Sequence, residues 1–189
     1  AVTATVGALT TQFTLTNTAA PGGSDTPLSI SGPSPNGQGT VTITVHSSTA
    51  ALPADAQFAQ ENFSDTSGVN VPALTGYDFS YGLAKFVLQN VGKNNAVTLR
   101  VHYPGKVPAQ AEYWKFGKTT PDGAAGWHRI PMTKVDDYTI AITLTDGAQG
   151  DTDTTADGNI TDPGGLAVPA AITPGGGATT IAPFPTLSA

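Results

Sequence analysis

The chain of 189 residues contains no cysteine. A disulfide framework and a thiolate zinc site are therefore both excluded, although the compartment stays open. Charge is sparse as well: Asp, Glu, Lys and Arg make up only 12% of the residues. With a net charge of −6, a pI near 4.7 and no basic patch, nucleic acid is not an expected partner. No apolar run is long enough to span a bilayer. The chain does not begin with Met, which we read as a processed or trimmed protein from which any signal peptide has been removed. No G-x-S-x-G occurs, and His46, His102 and His128 lie far apart. Ser80 is the serine nearest to a suitable glycine turn and makes a poor nucleophile, so no His-based hydrolase is expected. Glutamate occurs only as Glu61 and Glu112, and the aspartates cluster where a cation would hold them. A paired-carboxylate glycosidase is the weaker reading of those acids. No catalytic residue and no organic cofactor are expected.

What the chain does have is Thr, Val and Ala in alternation, punctuated by 22 glycines and 15 prolines. That is strand-and-turn material. Residues 1–17 read as one or two strands with a break near Gly7, and Pro27–Ile30 as a short strand. Thr40–His46 alternates cleanly, with Val41, Ile43 and Val45 on one face. Ala54–Phe63 suggests one or two helical turns with Phe58 packed inward. Phe79, Tyr81, Leu83, Phe86 and Leu88 continue the alternation, with a bulge expected at Gly82. Val97, Leu99, Val101 and Tyr103 share a face, as do Tyr138, Ile140, Ile142 and Leu144. A strand at Ala111–Gly117 carries Tyr113, Trp114 and Phe116, with Trp114 expected in the core and Lys115 and Lys118 in solvent. Trp127–Ile130 follows, and Asp136-Asp137 reads as a turn. Leu166–Ile172 reads as the last core strand, and residues 179–189 as an extended tail. The expected fold is all-β, an antiparallel sandwich of immunoglobulin-like or jelly-roll-like type with a calcium-binding loop. It forms a single domain over residues 1–189. Residues 1–72 stand as N-terminal strands plus an irregular segment, 73–173 as the core of the sandwich, and 174–189 as the tail.

The densest chemistry lies in DGAQGDTDTTADGNITDPGG, residues 146–165. Asp146, Asp151, Asp153, Asp157 and Asp162 fall there with no Lys or Arg among them. A hard cation would turn their mutual repulsion into attraction. From Asp153 the spacing follows the first eight positions of an EF-hand loop. Asp153, Thr155 and Asp157 would give side-chain oxygens, Gly158 the sharp turn, Asn159 a carbonyl, and Ile160 an anchor in the core. The twelfth position is Gly164 and not an acid, Asp162 comes two residues early, and Pro163-Gly164-Gly165 forbids an exiting helix. The expectation is therefore a Ca²⁺ loop between strands, with Asp146 or Asp151 replacing the missing acid. The alternative is a solvated acidic turn, since Asp and Gly favour turns in any case.

Several phrases stand in order along the second half: Tyr81-Gly82-Leu83 with Phe86, Tyr113-Trp114-Lys115-Phe116-Gly117, Trp127-His128, Asp146–Asp153 and Asp162–Gly165. Together they resemble the choice-of-anchor U domain of bacterial surface proteins over residues 77–170. Phe184-Pro185-Thr186-Leu187-Ser188 is similar to the start of an I-P-T-L-S sorting signal of Gram-negative bacteria. Its first residue departs, and the apolar helix and basic end do not follow. The resemblance implies an extracellular or cell-surface location in a bacterium, with the tail pointing to a Gram-negative one, and no catalytic activity. The functional expectation is a structural or adhesive β-sandwich stiffened by calcium. Residues 1–17 and 163–189 carry no Asp, Glu, Lys or Arg. Such terminal strands lack the devices that keep sheet edges apart, so a homo-oligomer or fibre formed by strand exchange is a further expectation. The rival function is a carbohydrate-binding module or glycan-active domain, with Trp114, Trp127, Tyr113 and Tyr103 as its aromatic platform.

Overall fold

The computed structural model describes residues 2–6, 9–13, 27–148 and 150–170. Their elements are all strands: β1 (Val2–Val6), β2 (Leu9–Phe13), β3 (Ser29–Pro33), β4 (Thr40–Ser48), β5 (Gln57–Ser64), β6 (Tyr77–Phe79), β7 (Leu83–Gln89), β8 (Ala96–His102), β9 (Glu112–Gly117), β10 (Gly126–Ile130), β11 (Met132–Lys134), β12 (Thr139–Thr145) and β13 (Ile160–Pro169). β1 and β2 pair with each other antiparallel; Gly7, where a break is expected, lies outside the described residues. The other strands build two sheets. One runs β10-β9-β13-β7-β5, with β6 also paired to β13; the other runs β11-β12-β8-β4-β3. All neighbours are antiparallel. The two sheets pack together as a sandwich.

Alternation explains which side chains fill the space between them. In β8, Val97, Leu99 and Val101 are buried while Arg100 and His102 are exposed. β12 contributes Ile140, Ile142 and Leu144, and β4 contributes Val41 and Ile43. From the facing sheet come Phe86, Leu88, Tyr113, Ile130, Ile160 and Leu166. A pleated strand points every second residue to one face, so a β-branched or leucine residue at each alternate position closes the core. Tyr81 and Tyr103 stack with ring centroids 5.0 Å apart.

Four expectations need correction. Residues 57–64 form β5 and not a helical turn; Phe58 is buried as expected, and an irregularity between Ala59 and Asn62, with Gln60 at φ 55°, breaks the alternation that would have marked the strand. The last described strand begins at Ile160, six residues before Leu166, and runs through Pro163-Gly164-Gly165. Pro163 is accommodated because β13 pairs with β7 over Ile160–Gly164 and meets β9 only from Gly164 onward. Trp114 lies on the outer face of β9, because the parity that buries Tyr113 also buries Lys115 and Gly117. Tyr138 precedes β12 and is exposed. Two adjustments are smaller. Gly82, at φ +75°, sits in the turn between β6 and β7 and not in a bulge, and the short strand expected at Pro27–Ile30 is Ser29–Pro33. The 174–189 tail and its sorting-signal-like phrase lie outside the described residues.

Candidate functional site

The β12–β13 connection opens with Asp146, whose side chain is fully buried. Its Oδ1 accepts the Gly158 N–H at 2.8 Å and its Oδ2 accepts the Asn94 N–H at 2.7 Å. One carboxylate thus ties the end of the acidic loop to the β7–β8 turn. Gly158 can offer its N–H there because its φ is +93°, a conformation that glycine adopts without penalty. Asp151, 1% exposed, works in the same way. Its Oδ2 accepts Gly147 N–H at 2.9 Å and its Oδ1 accepts Thr161 N–H at 3.0 Å. Burial pushes the Asp151 carboxyl up from its ordinary value, against the pull of these two backbone donors. Asn95 completes the clasp. It is buried, takes Thr49 Oγ1 and Ala50 N–H at 2.8 Å each, and gives its amide to the Ala50 and Val91 carbonyls.

Asp153 and Asp157 are exposed. Each bonds the backbone two residues on: Asp153 Oδ1 accepts Thr155 N–H at 2.8 Å, and Asp157 Oδ1 accepts Asn159 N–H at 2.8 Å. These are Asx-turns. Thr155 is exposed beside them, and the Asn159 side-chain oxygen accepts Asn90 N–H at 3.2 Å. Ile160 is fully buried and anchors the loop, as its position suggested. The five aspartates are thus divided between two buried clasps, two exposed turns and one interior position. Among the described residues no three His, Cys, Asp or Glu side chains gather in a metal-holding group.

The interior position is Asp162. It stands in the middle of the sandwich on β13, fully buried, with its Oδ1 2.5 Å from Lys115 Nζ. Lys115 is itself fully buried, which reverses the expectation that it is solvated. Its Nζ also donates to the Thr161 carbonyl at 3.1 Å, and Tyr113 Oη donates to Asp162 Oδ2 at 3.2 Å. Burial pushes the carboxyl up and the ammonium down, and each partner opposes the other's shift. The two phrases singled out in the sequence meet here: Tyr-Trp-Lys-Phe-Gly is β9, Asp-Pro-Gly-Gly lies within β13, and Lys115 pairs in register with Gly164. Gly164 leaves the necessary room. A Cβ there would stand 2.7 Å from Asp162 Oδ1 and 2.9 Å from both Lys115 Cγ and Tyr113 Cε1. The buried role of Lys115 was legible only in the parity it shares with Tyr113.

The aromatic platform divides in the same way. Tyr103 and Tyr113 are core residues. Trp114 and Trp127 are half-buried on the outside of the sheet, Trp114 against Tyr77 at 5.1 Å and Trp127 between Phe79 at 5.1 Å and Phe116 at 5.5 Å. Among the histidines, burial holds His128 below its ordinary value, while His46 and His102 lie exposed on β4 and β8. In comparisons with known proteins, no family model, no curated protein and no solved structure matches the chain.

Proposed function

We propose that this chain is a non-catalytic structural or adhesive domain of a bacterial surface protein, working outside the cell as a stiff β-sandwich. The observation that carries this reading is how the buried aspartates are used. Asp146 and Asp151 bind main chain, and Asp162 binds Lys115. The ordered phrases that resemble the choice-of-anchor U domain support the surface location. Calcium would act at the outer rim of the loop, where Asp153, Thr155 and Asp157 present exposed oxygens next to Asn159. It would stabilise by binding the folded loop and not the unfolded chain. Thermal melting tests this: excess calcium raises the midpoint relative to EDTA, and Asp153→Ala removes most of the shift. An unchanged midpoint with no calcium by elemental analysis deletes calcium from the reading.

A second reading, glycan binding, is favoured by one observation: Trp114 and Trp127 stand partly exposed on the same outer face. Folded protein applied to a glycan array with and without calcium gives no retention if the domain is purely structural. Specific retention lost in Trp127→Ala transfers the function to this face.

Assembly is the third part of the proposal. Strands β1 and β2 are uncharged and pair with each other among the described residues. If this pair opens and donates a strand to a neighbour, copies join head to tail into a fibre. Deleting residues 1–17 then leaves the protein unassembled. Full-length protein that stays monomeric at high concentration with calcium, by light scattering and electron microscopy, contradicts strand exchange.

A further inference from the structure

Lys115 and Asp162 are not placed as an ordinary ion pair is. Both side chains have no exposed surface, and they come from strands that pair directly. A buried pair of opposite charges gains little net stability, because desolvation of both groups offsets their attraction. Transferring the proton from the ammonium to the carboxylate removes both charges. The resulting neutral amine then stands beside a carboxylic acid, with Nζ 2.5 Å from Oδ1. Contact at that distance holds the amine against the acid and removes the entropic cost of bringing the two together.

We propose that Lys115 and Asp162 join covalently, through an amide bond between Nζ and Cγ, as the domain matures. Lys115 gives one proton to Oδ1, and the freed lone pair on Nζ attacks Cγ. Negative charge develops on Oδ2, where the Tyr113 hydroxyl already donates a hydrogen bond at 3.2 Å. A second proton passes from Nζ to Oδ1, the Cγ–Oδ1 bond breaks, and Oδ1 leaves as water. Atoms and charges balance with no oxidant, metal or cofactor: one amine and one acid give one amide and one water. The product fits the partners already present. Its N–H points to the Thr161 carbonyl, now 3.1 Å from Nζ, and its carbonyl is Oδ2, held by Tyr113.

Two further features suit the reaction. Burial favours the neutral form of each partner, raising the acid and lowering the amine. A cavity of about 10 Å³, lined in part by Tyr103, Tyr113 and Gly164, lies beside the site, and the Tyr103 hydroxyl has no hydrogen-bond partner among the described residues. That volume is at the lower limit for one water molecule, with the Tyr103 hydroxyl as one of the two or more polar partners a buried water needs. The inference goes beyond the structural reading and stands on the interior pair alone, whichever way the calcium and glycan tests fall.

Mass spectrometry of the full chain under denaturing conditions tests it. The protein is expected to be lighter than its sequence by one water, and Lys115→Arg and Asp162→Ala are each expected at full sequence mass. Loss of water at an Asp-Gly step by cyclisation is separated by peptide mapping. Asp122, Asp146 and Asp157 precede glycine, whereas Asp162 precedes Pro163, which has no N–H with which to cyclise. The expected product is a branched peptide, uncut by trypsin after Lys115, whose fragments place the branch at Lys115 and Asp162. A wild-type chain at full mass, or linear peptides carrying a free Lys115 and a free Asp162, overturns the proposal even if neither variant folds.

Discussion

Gly164 decides whether the interior pair can exist. Three atoms of Asp162, Lys115 and Tyr113 lie within 2.9 Å of where its Cβ would be. Adding a methyl group to a filled interior costs about 1–3 kcal/mol through forced shifts. Gly164→Ala is therefore expected to lower unfolding stability by about that amount in chemical denaturation, and a loss below ~0.5 kcal/mol would mean that the pair sits elsewhere. At this scale the sequence was legible where side-chain chemistry and strand parity agree. Val97, Leu99 and Val101 are apolar, alternate and are buried. It was illegible where they conflict. In β9 parity sends Lys115 inward and Trp114 outward, and residue type argues for the reverse. Parity wins because Tyr113 and Gly117 are fixed to the same inner face, and a one-residue slip would turn every side chain of the strand over. The lysine is tolerated only because Asp162, two residues from its register partner, meets its charge. A reading of one strand at a time cannot see that partner.

At the scale of elements, β13 was hidden by its own composition. Pro-Gly-Gly reads as a turn, yet these residues run through the middle of a sheet, where the glycines leave space for neighbouring side chains. The acidic loop before it was recognised as an organised unit, but its carboxylates face in different directions. Asp153 and Asp157 bond the backbone two residues on, as Asx-turns do, whereas the partners of the buried carboxylates, Asn94 and Gly158 for Asp146 and Gly147 and Thr161 for Asp151, follow no spacing that would announce them. The β11–β12 turn was legible from Asp136-Asp137, and it makes a prediction with a definite sign. Tyr138 N–H, at 2.7 Å, holds Asp136 below its ordinary value. Lys106 at 3.0 Å, and then Lys134 at 3.2 Å, hold Asp137 below its own. Both groups are harder to protonate in the folded chain than in the unfolded one. Their contribution is present above the ordinary carboxylate value, about 3.9, and is lost as pH falls through the lowered folded values. Carboxyl NMR titration should give midpoints below the ordinary value for both residues, and Asp137→Asn should make stability less sensitive to acid. Ordinary midpoints would show that the turn contacts do not persist in solution.

For the whole molecule, composition alone pointed to two packed antiparallel sheets, since Thr, Val and Gly in alternation leave few other ways to bury an apolar face. The order of the strands was not legible. β13 lies between β7 and β9 although it closes the described chain, and β8 lies between β4 and β12, because pairing over such distances depends on contacts that no local pattern encodes. The functional proposal depends on whether the second-half phrases spend their charges inside this sandwich. Global unfolding of Lys115→Met, Asp162→Asn and the double variant, each followed in denaturant against the wild type, measures that directly. Removing one partner takes away the tie, whether ion pair or amide, and leaves the other partner buried and uncompensated. Each single variant is therefore expected to lose at least about 3 kcal/mol, and the double variant markedly less than the sum of the two. Single variants within ~0.5 kcal/mol of wild type, with losses that simply add, would place Lys115 and Asp162 apart and in solvent, and would contradict the interior tie.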